Sequence, residues 1–150
     1  MVGQTKYKTK ADEKRLTGVS QIGCLPCMID GWNDVPATVQ HITEGGVRLE
    51  DEHQKTYPSC PWHHQAQPPD KCRGSTSIAK RRFGPSFAKS KREFAIAYGS
   101  ERDLVAITDA LLRVIESERL RGGYLDPKSL GKVAVELHRE IVLGLTVRRG

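Results

Sequence analysis

Two short cysteine-containing pairs carry most of the chemistry available to this sequence. Cys24-Leu25-Pro26-Cys27 supplies two thiols, and Cys60-Pro61-Trp62-His63 supplies a third thiol and an imidazole at the same internal spacing. Soft sulfur donors with one imidazole meet the tetrahedral demand of structural zinc and select it over hard cations such as magnesium. The N-terminal stretch has no signal-peptide core, so a cytoplasmic location is expected, and there two disulfides are a poor alternative. Cys72 lies among basic residues. Its spacing leaves open whether it is a spare thiol or replaces His63 as fourth ligand.

A zinc staple needs elements to hold together. Ala37–Thr43 is β-branched and partly alternating and reads as a strand. Gly45-Gly46 reads as a turn, a second short strand is expected near Thr56, and Pro61 opens a helix that Pro68-Pro69 would end. Strand, loop and short helix is the order of a ββα-metal fold. His41 ends the first strand and His64 falls in the helix's first turn, so the staple could turn both imidazoles towards one pocket. Phosphodiester hydrolysis asks for such a pair: a general base that activates water, and a ligand for a divalent cation such as Mg²⁺ or Mn²⁺. Two solvated surface histidines would give the same pattern.

The chain has 150 residues, of which 37% are apolar, enough for a lean core that a metal would help to stabilise. Its formal charge is +6. Residues 71–92 hold eight basic side chains and no acid: Lys71, Arg73, Lys80, Arg81, Arg82, Lys89, Lys91 and Arg92. That block exceeds the whole net charge, so the positive character is local, as a footprint on an anionic partner would be. Arg73 to Arg82 reads as an adaptable Gly- and Ser-rich loop, and Lys89, Lys91 and Arg92 as part of a helix running from Pro85 or Ser86 to Tyr98. No apolar run approaches the length of a membrane span.

Residues 1–17 read as a flexible basic arm that includes Lys6, Lys8, Lys10, Lys14 and Arg15, with a short helix possible from Asp12. Residues 18–99 form the zinc-stapled unit and 100–150 a helical extension. Ser100 and Asp103 cap a helix to about Ser117, and Asp126-Pro127 start a last one. Its stripe Val133, Leu137, Ile141 and Leu145 fits either packing onto Leu104 and Leu111 or a homodimer.

The order CxxC, "QHI", "CPWHH" resembles the HNH, or His-Me finger, nuclease fold. The stretches "GCLPCMIDG", "QHITEGG", "YPSCPWHHQ" and "GPSFAKSKREFAIAYGSERDLV" are similar, more narrowly, to phage-encoded recombination-enhancement nucleases that depend on RecA, over about residues 18–115. The resemblance implies an α+β fold, a small ββα-metal core followed by C-terminal helices. It implies His41 as general base, His64 as catalytic-cation ligand and His53 as a loop histidine that positions phosphate or supports the metal. It also implies a DNA endonuclease whose partner is DNA in a RecA filament. Three positions depart from the pattern: Gln40 stands where His or Asp shares the cation, Pro68 where the wider fold has a second helix histidine, and Lys89 where closer relatives have a histidine. An amide oxygen binds a hard cation without charge. These departures favour the alternative, a zinc-containing DNA-binding recombination accessory protein without catalysis.

Overall fold

The computed structural model describes residues 8–44, 47–48 and 51–145. The expected Gly45-Gly46 turn, Lys6 and the beginning of the arm lie outside the described residues. Helix α1 (Lys10–Ile22) starts where the sequence suggests a flexible arm. The reason is a reciprocal cap. The Thr9 hydroxyl accepts from the Asp12 backbone N–H and the Asp12 carboxylate accepts from the Thr9 N–H, both at 3.0 Å. Its apolar side buries Val19 and Ile22. Arg15, placed in the arm by composition, forks across the core edge instead. Its Nε donates to Thr56 Oγ1 at 3.1 Å, its Nη2 to the Thr56 carbonyl at 2.8 Å, and its Nη1 pairs with Asp109.

After α2 (Leu25–Ile29) come strand β1 (Thr38–His41), a small ladder of β2 (Thr43–Glu44) with β3 (Val47–Arg48), a 3-10 turn over Glu52–Gln54, and strand β4 (Thr56–Ser59). β1 and β4 pair antiparallel, with Thr38 opposite Ser59 and His41 opposite Thr56. Pro58 has no N–H to give a ladder, and it is tolerated because this sheet has only two strands. All four β4 residues are buried, since α1, α2 and α6 (Glu101–Leu120) pack against the strand.

Helix α3 (Pro61–Gln65) follows β4 directly, but Pro68-Pro69 do not end it. Ala66 does, in the left-handed conformation (φ 58°), with its N–H bonded to the Trp62 carbonyl at 2.9 Å. A 3-10 turn over Asp70–Cys72 leads to α4 (Thr76–Phe83), where a loop is expected from sequence. Ser75 caps α4 by accepting from Ile78 N, and Ala79 and Phe83 supply its buried side. Helix α5 (Lys91–Tyr98) is shorter than expected, because Ser90 caps it by accepting from Glu93 N. Lys89 therefore precedes the helix. Gly99 turns the chain at φ 107°, where a Cβ would press on Val142, and the Ser100–Asp103 box starts α6 at once. Helix α7 (Pro127–Ile141) packs on α6 and α2.

The fold is thus helix-rich α+β, with two small two-stranded sheets and two adjoining apolar clusters. The larger joins Leu25, Tyr57, Phe94, Tyr98, Leu104, Ile107, Leu111, Leu130 and Ala134. Each fully buried leucine here contributes roughly 2 kcal/mol of transfer free energy. Leu130 and Ala134 carry the buried side of α7, with Val133 and Leu137 partly buried, while Ile141 and Leu145 stay exposed. The smaller cluster gathers the four cysteines around Trp62, Ala79 and Phe83. Leu25 belongs to one cluster and Cys24 to the other, so α2 sits at their seam. No helix among the described residues is long and apolar enough to cross a membrane.

The Arg15 fork makes α1 part of the folded unit. Arg15→Ala should lower stability by about 1–2 kcal/mol, because it removes both hydrogen bonds to buried Thr56, while Asp109 remains open to water. Urea denaturation checks this, and a midpoint equal to the parent's would make α1 a dispensable appendage.

Candidate metal centre and adjoining histidines

Two turns deliver the ligands. Pro26 shapes the first turn of α2 between Cys24 and Cys27, and Pro61 does the same for α3 between Cys60 and His63. A residue and the third after it lie on one face of a helical turn, so each pair points its two donors the same way. The Cys24 and Cys27 sulfurs lie 3.5 Å from His63 Nδ1, the Cys60 sulfur lies 3.2 Å from it, and Cys27 and Cys60 are 3.9 Å apart. All four residues are buried, and their ligand atoms fall within 4.8 Å of one another. Such a Cys3His group can hold a structural metal ion such as zinc. The gathered set contains His63; Cys72 is buried in the same apolar cluster but outside the set.

The electrostatics of the group ask for a cation. Cys60, accepting hydrogen bonds from Cys24 and Cys27, is held far below the ordinary thiol range. Burial pushes Cys24 up, and the neighbouring Cys24 and Cys60 sulfurs push Cys27 up. Without a cation, burial and mutual repulsion oppose ionisation of all three sulfurs together. A bound dication would replace the thiol protons and let all three ionise.

The fourth ligand is oriented by a carbonyl. His63 Nε2 lies 2.6 Å from the Phe83 carbonyl, which can only accept, so the proton sits on Nε2 and the Nδ1 lone pair faces the sulfurs. The Tyr98 hydroxyl, 3.1 Å from the same Nε2, donates to Asp30 Oδ2 at 2.6 Å. Burial raises the Asp30 carboxyl and also raises the Tyr98 phenol, which keeps its proton. Gly84 makes room for this network: at φ 82°, a Cβ there would run into the Tyr98 hydroxyl. Asp30 and Tyr98 both fall within stretches that carry the family resemblance, but nothing in the sequence marks them as partners of each other or of His63.

His41 and His53 come together. His41 Nε2 lies 3.2 Å from His53 Nδ1, and the rings meet edge to face with centroids 5.3 Å apart. His53 Nε2 is 3.5 Å from Glu52 Oε1. His64 follows His63 on α3 and is half-buried, which lowers its pKa and favours the neutral imidazole. Gln40 points the other way from its neighbour, as strand alternation requires. It is buried, its Nε2 donates to Glu101 Oε2 at 3.1 Å, and the same oxygen accepts from Tyr57 at 2.9 Å. Among the described residues, Gln40 Oε1 is a buried acceptor that meets no hydrogen-bond donor. Glu101, whose carboxyl is raised by burial, was not legible from the sequence as a partner of this strand.

The basic residues divide into groups. Arg73 follows the 3-10 turn in the left-handed conformation (φ 51°), and Lys80, Arg81 and Arg82 occupy the last turn of α4. Lys80 pairs with Glu93 at 2.8 Å. Lys89 lies in the turn before α5, and Lys91 and Arg92 in its first turn, with Lys91 Nζ 5.4 Å from the Phe87 ring centroid. Lys80, Lys89, Thr76, Ser77 and Ser90 line a surface cavity of about 410 Å³ beside Trp62.

If the four ligands hold zinc, elemental analysis of the purified chain will find a single tightly bound zinc. Cys60→Ser should lose it and most of a stabilisation on the order of 10 kcal/mol. Tyr98→Phe should keep the metal but release it faster to a chelator. A parent chain that unfolds identically with and without chelator would remove the staple.

The profile of the recombination enhancement, RecA-dependent nuclease family matches residues 8–113. Among curated proteins, none matches this chain. The matched span begins two residues before α1, contains both ligand pairs and strands β1 to β4, and extends into α6, so the chain belongs to the family of recombination enhancement, RecA-dependent nucleases.

Proposed function

We propose that this chain is a metal-dependent DNA endonuclease that hydrolyses phosphodiester bonds with weak sequence preference during recombination, on DNA associated with RecA. The observation that carries the reading is the His41–His53 contact on a strand stapled beside α3 by the Cys3His group, in a chain of this family. The succession of β1, β4 and α3 supports treating the core as a ββα-metal unit of the HNH type.

In this reading His41 is the general base. With the Glu52 carboxylate beside His53 Nε2, the proton of His53 sits on that nitrogen, and its Nδ1 accepts from His41 Nε2–H. The basic nitrogen of His41 is then Nδ1, which takes the proton of the attacking water. His53 fixes the ring so that this lone pair keeps one direction. His64, neutral because burial disfavours its charge, is the ligand suited to Mg²⁺ or Mn²⁺, which when bound supplies charge to the leaving oxygen. Arg73, Lys80, Arg81, Arg82, Lys89, Lys91 and Arg92 contact the phosphate backbone. Contacts to phosphates carry no sequence information directly, which suits the weak sequence preference of this reading.

One observation favours a second reading. Gln40 is drawn into the interior by Glu101, which leaves His64 without its usual strand partner and suits a zinc-containing DNA-binding accessory protein that does not cut. A single experiment separates them. Nicking is measured with Mg²⁺ or Mn²⁺ on duplex, single-stranded, branched and RecA-coated DNA, beside His41→Ala. The endonuclease reading expects cleavage that falls by roughly 10²-fold or more in the variant, with DNA binding intact. No cleavage of any substrate by the parent leaves the accessory reading, and equal cleavage by both proteins removes His41 as the base. Binding should also weaken by about 10³ between 50 and 200 mM salt if some six phosphates are neutralised.

A further inference from the structure

The two tryptophans of the chain have opposite surroundings. Trp62 is 2% exposed, whereas Trp32 is 47% exposed. Trp32 is nevertheless held firmly, since its backbone N–H donates to the Cys27 carbonyl at 2.8 Å and so ties it to the cysteine pair. Its ring meets Phe83 at a tilt of 59°, with centroids 5.7 Å apart. Lys71 Nζ lies 5.9 Å from the Trp32 centroid and 5.1 Å from that of Phe83.

Lys71 also lines an open depression of about 620 Å³ with Cys72, Arg73, Ile78, Arg81 and Arg82. No carboxylate belongs to that lining. Among the described residues, none of these four cations has an ion-pair partner. A large aromatic surface half in water, rigidly mounted beside unneutralised cations, is the combination that binds single-stranded nucleic acid: the cations follow the backbone and the ring stacks a base.

We infer that Trp32, with Lys71, Arg73, Arg81 and Arg82, is a stacking platform for an unpaired base of single-stranded DNA. The inference rests on the DNA-binding part of the proposed function and adds a preference to it. In a duplex the base faces are covered by their neighbours, so only the phosphates reach this surface. In a single strand a base can turn onto the indole while adjacent phosphates lie in the basic depression. The platform therefore favours substrates with an unpaired segment, and it does so without sequence selection, because every base has a π-face.

The test uses the full, zinc-loaded chain and three probes at one salt concentration: oligothymidylate, an abasic strand of equal length and charge, and a duplex. Oligothymidylate should bind roughly tenfold more tightly than the abasic strand and quench tryptophan emission, which the abasic strand leaves unchanged. Trp32→Ala should bind oligothymidylate only as well as the abasic strand while duplex affinity stays within about twofold, since the phosphate contacts remain. Trp32→Phe, which keeps an aromatic face, should retain most of the affinity, and its remaining emission from buried Trp62 should not be quenched. Equal binding of oligothymidylate and the abasic strand by the parent overturns the platform and leaves the DNA-binding reading standing. Failure to bind any of the three overturns both.

Discussion

Three sulfurs and one ring nitrogen that must share a buried space set the terms for this molecule. Like charges cannot gather there without a cation, and protonated thiols alone give little cohesion. The Cys3His group therefore ties the α2 turn to the junction of β4 and α3, reinforcing the apolar packing of α2 on β4. Around it the polar partners are ordered by what each can do. A carbonyl that can only accept fixes the His63 tautomer, and a carboxylate that accepts fixes the Tyr98 hydroxyl. The left-handed glycine at position 84 lets these groups approach.

The distribution of charge follows from the same packing. The Asp30 and Glu101 carboxylates are each held by hydrogen bonds from buried groups, Tyr98 to Asp30 and Tyr57 and Gln40 to Glu101, and partial burial raises the pKa of both. The basic side chains of residues 71–92 are turned outward on α4, the turns flanking it and the first turn of α5. Among these basic residues, Lys80 is neutralised by an ion pair with Glu93. The surface potential is therefore more one-sided than the sequence total suggests, and the positive face adjoins the metal group through Cys72, Phe83 and Trp62.

In the proposed reading, one residue of spacing separates a scaffold histidine from a chemical one. His63 faces inward, buried and bonded to a carbonyl, while His64 is half-buried with its charge disfavoured. His41 and His53 come from a strand and a 3-10 turn that only the hairpin brings together. Under the proposed nuclease reading, such a site would depend on the staple for its geometry and on the basic face for its substrate. Neither feature by itself performs the reaction.

The ligand pairs were legible because their chemistry is local. A cysteine and a partner three residues later share a helical face whatever surrounds them, and prolines at 26 and 61 set those turns. The strand ending at His41, the Ser100–Asp103 cap and the start of α7 at Pro127 could be read for the same reason. Composition misled where a charged stretch is only one side of a helix. Residues 10–17 look like an arm until Arg15 finds Thr56 and Asp109, and residues 76–83 look like a loop until Ala79 and Phe83 find the cysteine cluster. The sequence alone determined which side chains could bind a metal, because that follows from donor type and near-neighbour spacing. Only the tertiary structure decided that Gln40 turns to Glu101, that His53 meets His41 and that Trp32 stays in water. Those outcomes depend on contacts between residues far apart in the chain, and no local preference encodes them.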